Sequence, residues 1–270
     1  MKKVVVFTRS VLLLSTFLLI LLFGGTNAKA LTYDKAISLE MVTNKYTSPN
    51  LVTRIDLDDP NDQIANVRTS SKKLKAVVSF TATGMNTCYE EIQMYATKRG
   101  KYKLYFDVVD KDGNVKSSET ITVYVRTVEE SLDAIKSIKV GKTEIKNQLL
   151  KDKYTTRHVD VKKSGKLKIK MKKGCKLKEI YVTRYEKLGS PETSSDGTKT
   201  SVKTIAEYIN NGSMLVLSNT GYKDGNVDRS GNQICEKNRS IFGYTKLWIA
   251  YTDKKGALTT RIIVLRSVIK

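Results

Sequence analysis

Hydrophobic and polar residues alternate with a period of two along much of this chain, the pattern of half-buried β-strands. The clearest example runs from Gly100 to Arg126, where a turn-forming segment, Asp110–Asn114, separates two alternating stretches. Asp-Gly and Gly-Asn pairs suit the positive φ angles of tight hairpins. One face of the pair is apolar: Tyr102, Leu104, Phe106, Val108, Ile121, Val123 and Val125. The opposite face carries Lys101, Lys103, Tyr105 and Asp107. This segment is predicted to be an antiparallel hairpin.

Shorter alternating segments recur on both sides of this hairpin. They lie at 37–43, 51–57, 74–81, 91–97, 137–145, 158–161, 166–172, 177–184, 213–218, 244–251 and 258–265. Many short strands separated by turns predict an all-β chain built from sandwiches. Two polar, turn-rich insertions, 189–201 and 219–240, interrupt the second half, and connections of that length are often functional.

The segment 128–138, with the sequence VEESLDAIKSI, predicts either a short helix or a linker. We place a domain boundary there. The predicted organisation is a signal peptide at 1–30, a sandwich domain at 31–127, and a second sandwich domain at 128–270 that carries both insertions.

The first thirty residues have the order of features of a secretory signal. Lys2, Lys3 and Arg9 precede an apolar run at 11–23, and Ala28-Lys29-Ala30 supplies a small-x-small cleavage pattern. The run is short for a membrane span, although an uncleaved anchor is the alternative. The chain is therefore expected to be secreted, extracellular or associated with the cell wall.

Basic residues are concentrated in the second half. Residues 31–127 contain 14 basic and 12 acidic side chains, whereas 128–270 contain 30 and 15. The predicted domains thus carry about +2 and +15, and such asymmetry points to a negatively charged partner of the second one.

The two halves end alike. Gly100-Lys101-Tyr102, a strand, the Asp110–Gly113 turn and a last strand are echoed by Gly243-Tyr244, a strand, the Asp253–Gly256 turn and a last strand. The tyrosine-to-aspartate spacing is eight in one and nine in the other, so a bulge or register change is expected. The repeat predicts a duplicated fold with a diverged second copy.

The string GKYKLYFDVVDKDGNVKSSETITVYV, Gly100 to Val125, resembles the last two strands of bacterial immunoglobulin-like domains. The resemblance implies two tandem immunoglobulin-like β-sandwiches. It also implies that Tyr102 is similar to the tyrosine that packs at the corner of such sandwiches. Domains of this kind serve as spacers, adhesive modules or carbohydrate-binding accessories, and the fold alone does not choose among these roles.

The most distinctive local feature is the segment Lys162–Lys178, which has nine lysines and no acid. Four of its lysines alternate with apolar residues and would share one face of a strand: Lys166, Lys168, Lys170 and Lys172. Lysines at that spacing suit a polymer with regularly repeated negative charges. The alternative is a solvated face that protects a sheet edge and keeps the protein soluble.

Other sites are weaker. Tyr222 and Arg229, with the amides around them in the second insertion, suggest sugar recognition, and Trp248 is either a stacking platform or a core residue. No catalytic motif, cofactor motif or metal-ligand spacing is found, and the acidic cluster at 56–62 is either an ordinary acidic turn or a calcium clip between loops. Either Cys175 and Cys235 form a disulfide that does not include Cys88, or all three cysteines are small buried residues.

The sequence predicts a non-enzymatic binding module that contacts an anionic wall polymer or polysaccharide through a basic β face, without a cofactor. The competing prediction is a structural or adhesive spacer that engages a protein partner and has no dedicated ligand site. No transmembrane span is expected after signal cleavage.

Overall fold

Strands make up nearly all of the regular structure, so the chain is all-β. The computed structural model describes residues 31–43, 46–47, 51–84, 87–151, 158–193, 199–221, 226–227, 233–234 and 241–269. The predicted signal at 1–30 lies outside these residues. No helix in the described ranges is long and apolar enough to cross a membrane.

The strands of the first half are β1 (Ala36–Thr43), β2 (Tyr46–Thr47), β3 (Leu51–Asp56), β4 (Gln63–Thr69), β5 (Leu74–Gly84), β6 (Thr87–Ala96), β7 (Gly100–Val109) and β8 (Val115–Arg126). Two short helices follow, α1 (Val128–Leu132) and α2 (Lys146–Lys151). The remaining strands are β9 (Ile135–Val140), β10 (Thr143–Glu144), β11 (His158–Asp160), β12 (Gly165–Met171), β13 (Lys176–Thr193), β14 (Lys199–Tyr208), β15 (Met214–Leu215), β16 (Asn226–Val227), β17 (Gln233–Ile234), β18 (Phe242–Thr252) and β19 (Leu258–Val268).

The first hydrophobic core lies between two sheets. Strands β1, β8, β7 and β4 form one layer and β3, β6 and β5 the other. Leu104, Phe106 and Ile121 of the first layer meet Ile55 and Ile92 of the second, and all five are fully buried. Burial of apolar side chains from both layers makes this half a β-sandwich.

The second core has the same two-layer arrangement. Strands β14, β13, β18 and β19 face the layer β10-β9-β12-β15. Leu247 and Ile249 of β18 pack in one cluster with Ile138 of β9 and Leu167 of β12. The helices close the ends of this cluster with Leu132 and Leu149.

Strand β1 connects the two halves. It runs parallel to β8 over five residue pairs and parallel to β19 at the single pair Ile37↔Leu258. The larger layers of the two sandwiches therefore belong to one sheet, in the order β14-β13-β18-β19-β1-β8-β7-β4.

The predicted hairpin at 100–126 is confirmed. Strands β7 and β8 pair from Gly100↔Val125 to Val109↔Val115, and the seven apolar side chains predicted to face inward are all buried. Asp107 differs from the prediction, because it lies on the outer face yet is 6% exposed. Its carboxylate accepts hydrogen bonds from Ser118 Oγ at 2.6 Å and Asn66 Nδ2 at 2.9 Å, which compensate for its burial.

The segment at 128–138 is not a free linker. Helix α1 begins with a capping box, in which Thr127 and Glu130 satisfy each other's backbone N–H groups. Its Val128 and Leu132 are buried in the second core, and β9 follows directly.

The insertion predicted at 189–201 is largely strand. Strand β13 continues to Thr193 and β14 begins at Lys199, and these two described parts of the segment pair with each other at Glu192↔Thr200 and Thr193↔Lys199. The segment at 213–218 was predicted as a strand, but only Met214–Leu215 is regular. Most of the second insertion lies outside the described residues, apart from the short β16–β17 pair.

Candidate functional site

The lysine row is placed on strand β12. Lys166, Lys168 and Lys170 are exposed, whereas Leu167 and Ile169 between them are 0% and 4% exposed. Alternate residues of a strand lie about 7 Å apart, so three ammonium groups stand at a regular spacing on one face. The structure thus confirms the predicted alternation for three of the four lysines.

Strand β12 has no open edge at the lysine row. One edge pairs with β9 from Leu167↔Val140 to Met171↔Ile135. On the other edge, Leu167 bonds to the backbones of Gly212 and Ser213, and Ile169 bonds through both its N–H and its C=O to the side-chain amide of Asn211, each at 2.8 Å. Since these groups are already paired, protection of an edge does not explain the lysines here.

A fourth cation lies beside the row. Lys139 of β9 is paired directly across from Lys168, and like charges in this position destabilise a sheet. Glu144 of β10 balances part of this charge, with its Oε2 3.7 Å from Lys139 Nζ. Within the described ranges, no carboxylate forms an ion pair with Lys166, Lys168 or Lys170. We call the surface formed by these three lysines and Lys139 the β12 basic face.

Lys172 is not part of this face. It follows the end of β12, where its backbone N–H bonds to Ala134 and its side chain pairs with Asp133. The hydrogen bond from Lys172 lowers the pKa of the Asp133 carboxyl. Burial, followed by repulsion from Lys172, lowers the pKa of the nearby Lys146 amine.

The structure describes only some of the remaining predicted site residues. Tyr222 and Arg229 lie outside the described residues, as does Cys235. Cys175 is a free cysteine, and the side chains of Cys175 and Cys88 are both partly buried. Trp248 is half-buried on the outer face of β18, opposite Tyr181 and Ile262, so it is neither a core residue nor an open platform.

The acidic turn at 56–62 forms an ion pair with a lysine side chain of this chain. Lys116 Nζ donates to both oxygens of Asp62, at 2.7 and 3.0 Å. Within the ranges that the structure describes, no group of three or more histidine, cysteine or carboxylate side chains is arranged to hold a metal ion.

A cleft of about 780 Å³ lies where the two halves meet, and the sequence did not predict it. We call it the junction cleft. Five separate segments contribute its lining: 99–101, 124–126, α1 with the two residues after it, the stretch around Lys172 and Cys175, and the turn at 253–255. No sequence pattern links these segments, because only the pairing of the two halves brings them together.

Ion pairs organise this cleft. Arg126 of the first half pairs with Asp253 of the second, and their side chains are only 15% and 14% exposed. Burial alone would raise the pKa of the Asp253 carboxyl, but hydrogen bonds from Arg126 and from the backbone of the turn hold it below its ordinary value. Arg99 pairs with Glu130. Outside the cleft, Arg261 and Glu40 form a second largely buried pair across the junction.

Comparisons with known proteins give no family assignment. No family model matches the chain, and neither does any curated protein. Among solved structures, a mutant of the SrpA adhesin from Streptococcus sanguinis is 12% identical over 65% of this chain and 92% of its own, with a TM-score of 0.27. The sialic-acid-binding region of another Streptococcus sanguinis adhesin is 10% identical over 91% of this chain and 78% of its own, also with a TM-score of 0.27.

Fibronectin(III)-like modules of CbhA from Clostridium thermocellum are 12% identical, with a TM-score of 0.21 over 89% of this chain and 94% of their own. Similarities of this size carry no argument about ligand or activity.

Proposed function

We propose that this protein is an exported, surface-associated binding module whose β12 basic face contacts an anionic polymer such as a wall polymer or an acidic polysaccharide. The observation that carries the proposal is the exposed row Lys166, Lys168 and Lys170, which has no carboxylate partner in the described part of the chain and stands on a strand with both edges paired. The proposal includes no catalytic step and no cofactor.

Charge repulsion within the face supports this role. Lys168 stands directly across from Lys139, and the row adds further positive charge along the strand. A bound polyanion would offset this repulsion, because each lysine would then be attracted to a negative group of the polymer. Lysine ammoniums act as point charges without a preferred planar geometry, so recognition should depend on charge spacing and be weakened by salt.

We further propose that each half is an immunoglobulin-like sandwich. In the first half, β1 runs parallel to the last strand β8, and the layers β1-β8-β7-β4 and β3-β6-β5 follow the strand order of that fold. Tyr102 supports the assignment, since its hydroxyl donates to the backbone oxygen of Lys98 at 2.9 Å, in the manner of a tyrosine corner.

Retention on purified, protein-free bacterial cell wall tests the binding function. The variant Lys166→Gln/Lys168→Gln/Lys170→Gln should lose at least tenfold in retention at low salt, and half-molar salt should release the unmodified protein. Lys72→Gln/Lys73→Gln/Lys75→Gln is the matched control, because it removes the same charge from exposed positions in the first half. Equal retention of the two variants, or retention that half-molar salt leaves unchanged, would refute the proposal.

A structural or adhesive spacer that engages a protein partner is the second candidate function. The specific observation in its favour is the pair of largely buried ion pairs, Arg126–Asp253 and Arg261–Glu40, which fix the two halves against each other as a spacer requires. In this case the triple lysine variant would keep full retention on whole cells that carry the partner.

A further inference from the structure

The surplus positive charge of the junction cleft is concentrated around one aromatic ring. Six basic side chains line the cleft: Arg99, Lys101, Arg126, Lys172, Lys254 and Lys255. Its three acids are each engaged with one of them, in the pairs Glu130–Arg99, Asp253–Arg126 and Asp133–Lys172. In the described part of the chain, Lys101, Lys254 and Lys255 have no carboxylate partner.

Tyr124 lies among these cations. Lys255 of the second half has its Nζ 5.2 Å from the centre of the ring, and Lys101 of the first half has its Nζ 5.9 Å from it. The Arg126 guanidinium lies 4.9 Å from the same centre but is already held by Asp253. The two lysines are therefore the cations near the ring that are available to an incoming anion.

The shape of the cleft suits a small ligand. Its volume of about 780 Å³ lies within the usual range of small-molecule sites, and its lining is mostly charged, so charge would hold the ligand. Concave walls with a single excess sign of charge also raise the local concentration of oppositely charged ligands.

From this arrangement we infer that the junction cleft binds an acidic sugar unit, whose carboxylate or phosphate group draws Lys101 and Lys255 off the Tyr124 ring and leaves the ring to contact the apolar face of the sugar. A charged group held by lysines on two sides gains charge-assisted hydrogen bonds, while the ring supplies the flat contact. The site is separate from the β12 basic face and takes a short ligand rather than a polymer.

Calorimetric titration with three probes tests the inference: trigalacturonic acid for the carboxylate, glucose 1-phosphate for the phosphate, and maltotriose as the neutral sugar. At low salt, at least one anionic probe should bind tenfold or more tightly than maltotriose, and the one that does so identifies the acidic group. Equal binding of all three, or no saturable binding of either anion, would overturn the inference.

A pair of double variants locates the binding. Lys101→Gln/Lys255→Gln should weaken the anionic probe at least tenfold, whereas Lys103→Gln/Lys111→Gln, which removes equal charge from exposed positions outside the cleft, should change its affinity less than twofold. An equal loss in both variants would mean that net charge alone is responsible and would contradict the site.

Cys175 provides a reporter that does not depend on the lysine substitutions. It lines the cleft and is partly exposed. The bound anionic probe should slow alkylation of Cys175 severalfold, whereas maltotriose at the same concentration should not, as measured by peptide mass mapping. The triple variant of the β12 basic face should still bind the short probe, so failure of the polymer function and failure of this site give different results.

Discussion

The two closing hairpins, β7–β8 and β18–β19, turn with the same chemistry but serve different purposes. In each, the aspartate backbone pairs with the residue four positions on, and the glycine N–H bonds back to the aspartate C=O at 3.0 Å. In each, one carboxylate oxygen of Asp110 or Asp253 accepts two further backbone N–H groups at 2.8–2.9 Å. The repeated aspartate-x-x-glycine pattern therefore specifies one turn geometry.

The difference lies in what the second carboxylate oxygen contacts. Asp110 accepts a bond from the side-chain amide of Asn114 in its own exposed turn, at 3.0 Å, and this bond lowers its pKa. In the second turn, Ala257 takes the place of Asn114 and has no side-chain amide. Asp253 instead accepts a hydrogen bond from Arg126 of the other half. The second turn thus bonds to the other half through the carboxylate oxygen that the first turn uses within itself.

The largest effect should come from removing the two aspartates separately. Asp253→Ala deletes both the turn bonds and the partner of a largely buried arginine, so the free energy of unfolding should fall by about 3 kcal/mol. Asp110→Ala loses turn bonds only and should cost clearly less. Urea unfolding of both variants measures this difference, and equal losses would show that the Arg126 contact contributes nothing to stability.

The glycines of the two turns should behave alike. Gly113 and Gly256 have φ angles of +83° and +73°, and neither has an atom near the position that a Cβ would take. Substitution by alanine should therefore cost only the left-handed backbone strain, about 1–2 kcal/mol in each turn. Thermal and urea unfolding of the two variants would check this, and a loss at one site alone would contradict the shared geometry.

The smallest effect distinguishes the two tyrosines. Tyr102→Phe removes a hydroxyl bonded to two backbone oxygens and should lower the unfolding free energy by about 1 kcal/mol. Tyr244→Phe should change it by less than about 0.5 kcal/mol, because the ring contact with His158 is kept and no hydrogen bond of its hydroxyl appears within the described ranges. If the Tyr244 variant were the less stable one, these roles would be reversed.

These tyrosines also show where the sequence pattern was misleading. The repeat in the sequence gives Tyr102 and Tyr244 equivalent positions. In the structure Tyr102 is buried, whereas Tyr244 points to the outer face of β18. The register shift that the unequal spacing predicted lies in the first hairpin, between Val108 and Val109, whereas β18 and β19 pair without interruption. Spacing indicated that the register changed but not in which copy.

Strands β4 and β14 were missed for different physical reasons. In β4 the alternation is broken at Asn66, whose φ of +52° accompanies a register shift against β7. Strand β14 is an edge strand that has no fully buried side chain among its assessed positions, so no apolar period marks it. Strands with a continuous buried face, such as β7 and β12, were predictable because burial imposes the period.

Of the two candidate sites, the sequence predicts one and misses the other. The β12 basic face was predictable because it lies on one strand, where spacing in sequence sets spacing in the fold. Lys172 was wrongly grouped with it, since the strand ends one residue earlier and Asp133 draws the side chain into the cleft. The junction cleft is lined by five segments that lie between Arg99 and Lys255 in the sequence. No local sequence pattern predicts that these segments come together.

The placement of β1 has a consequence for the order of folding. Glu40 on β1 meets Arg261 on β19 across 221 residues, so the central strand of the shared sheet gains this partner only after β19 has been made. Contacts this distant in sequence slow folding and leave unpaired strand edges exposed in the meantime. A chain that emerges from its amino end would assemble the β7–β8 hairpin early. Strand β1 would pair with β8 first, and the contact between the halves would form only once β19 is available to pair with β1.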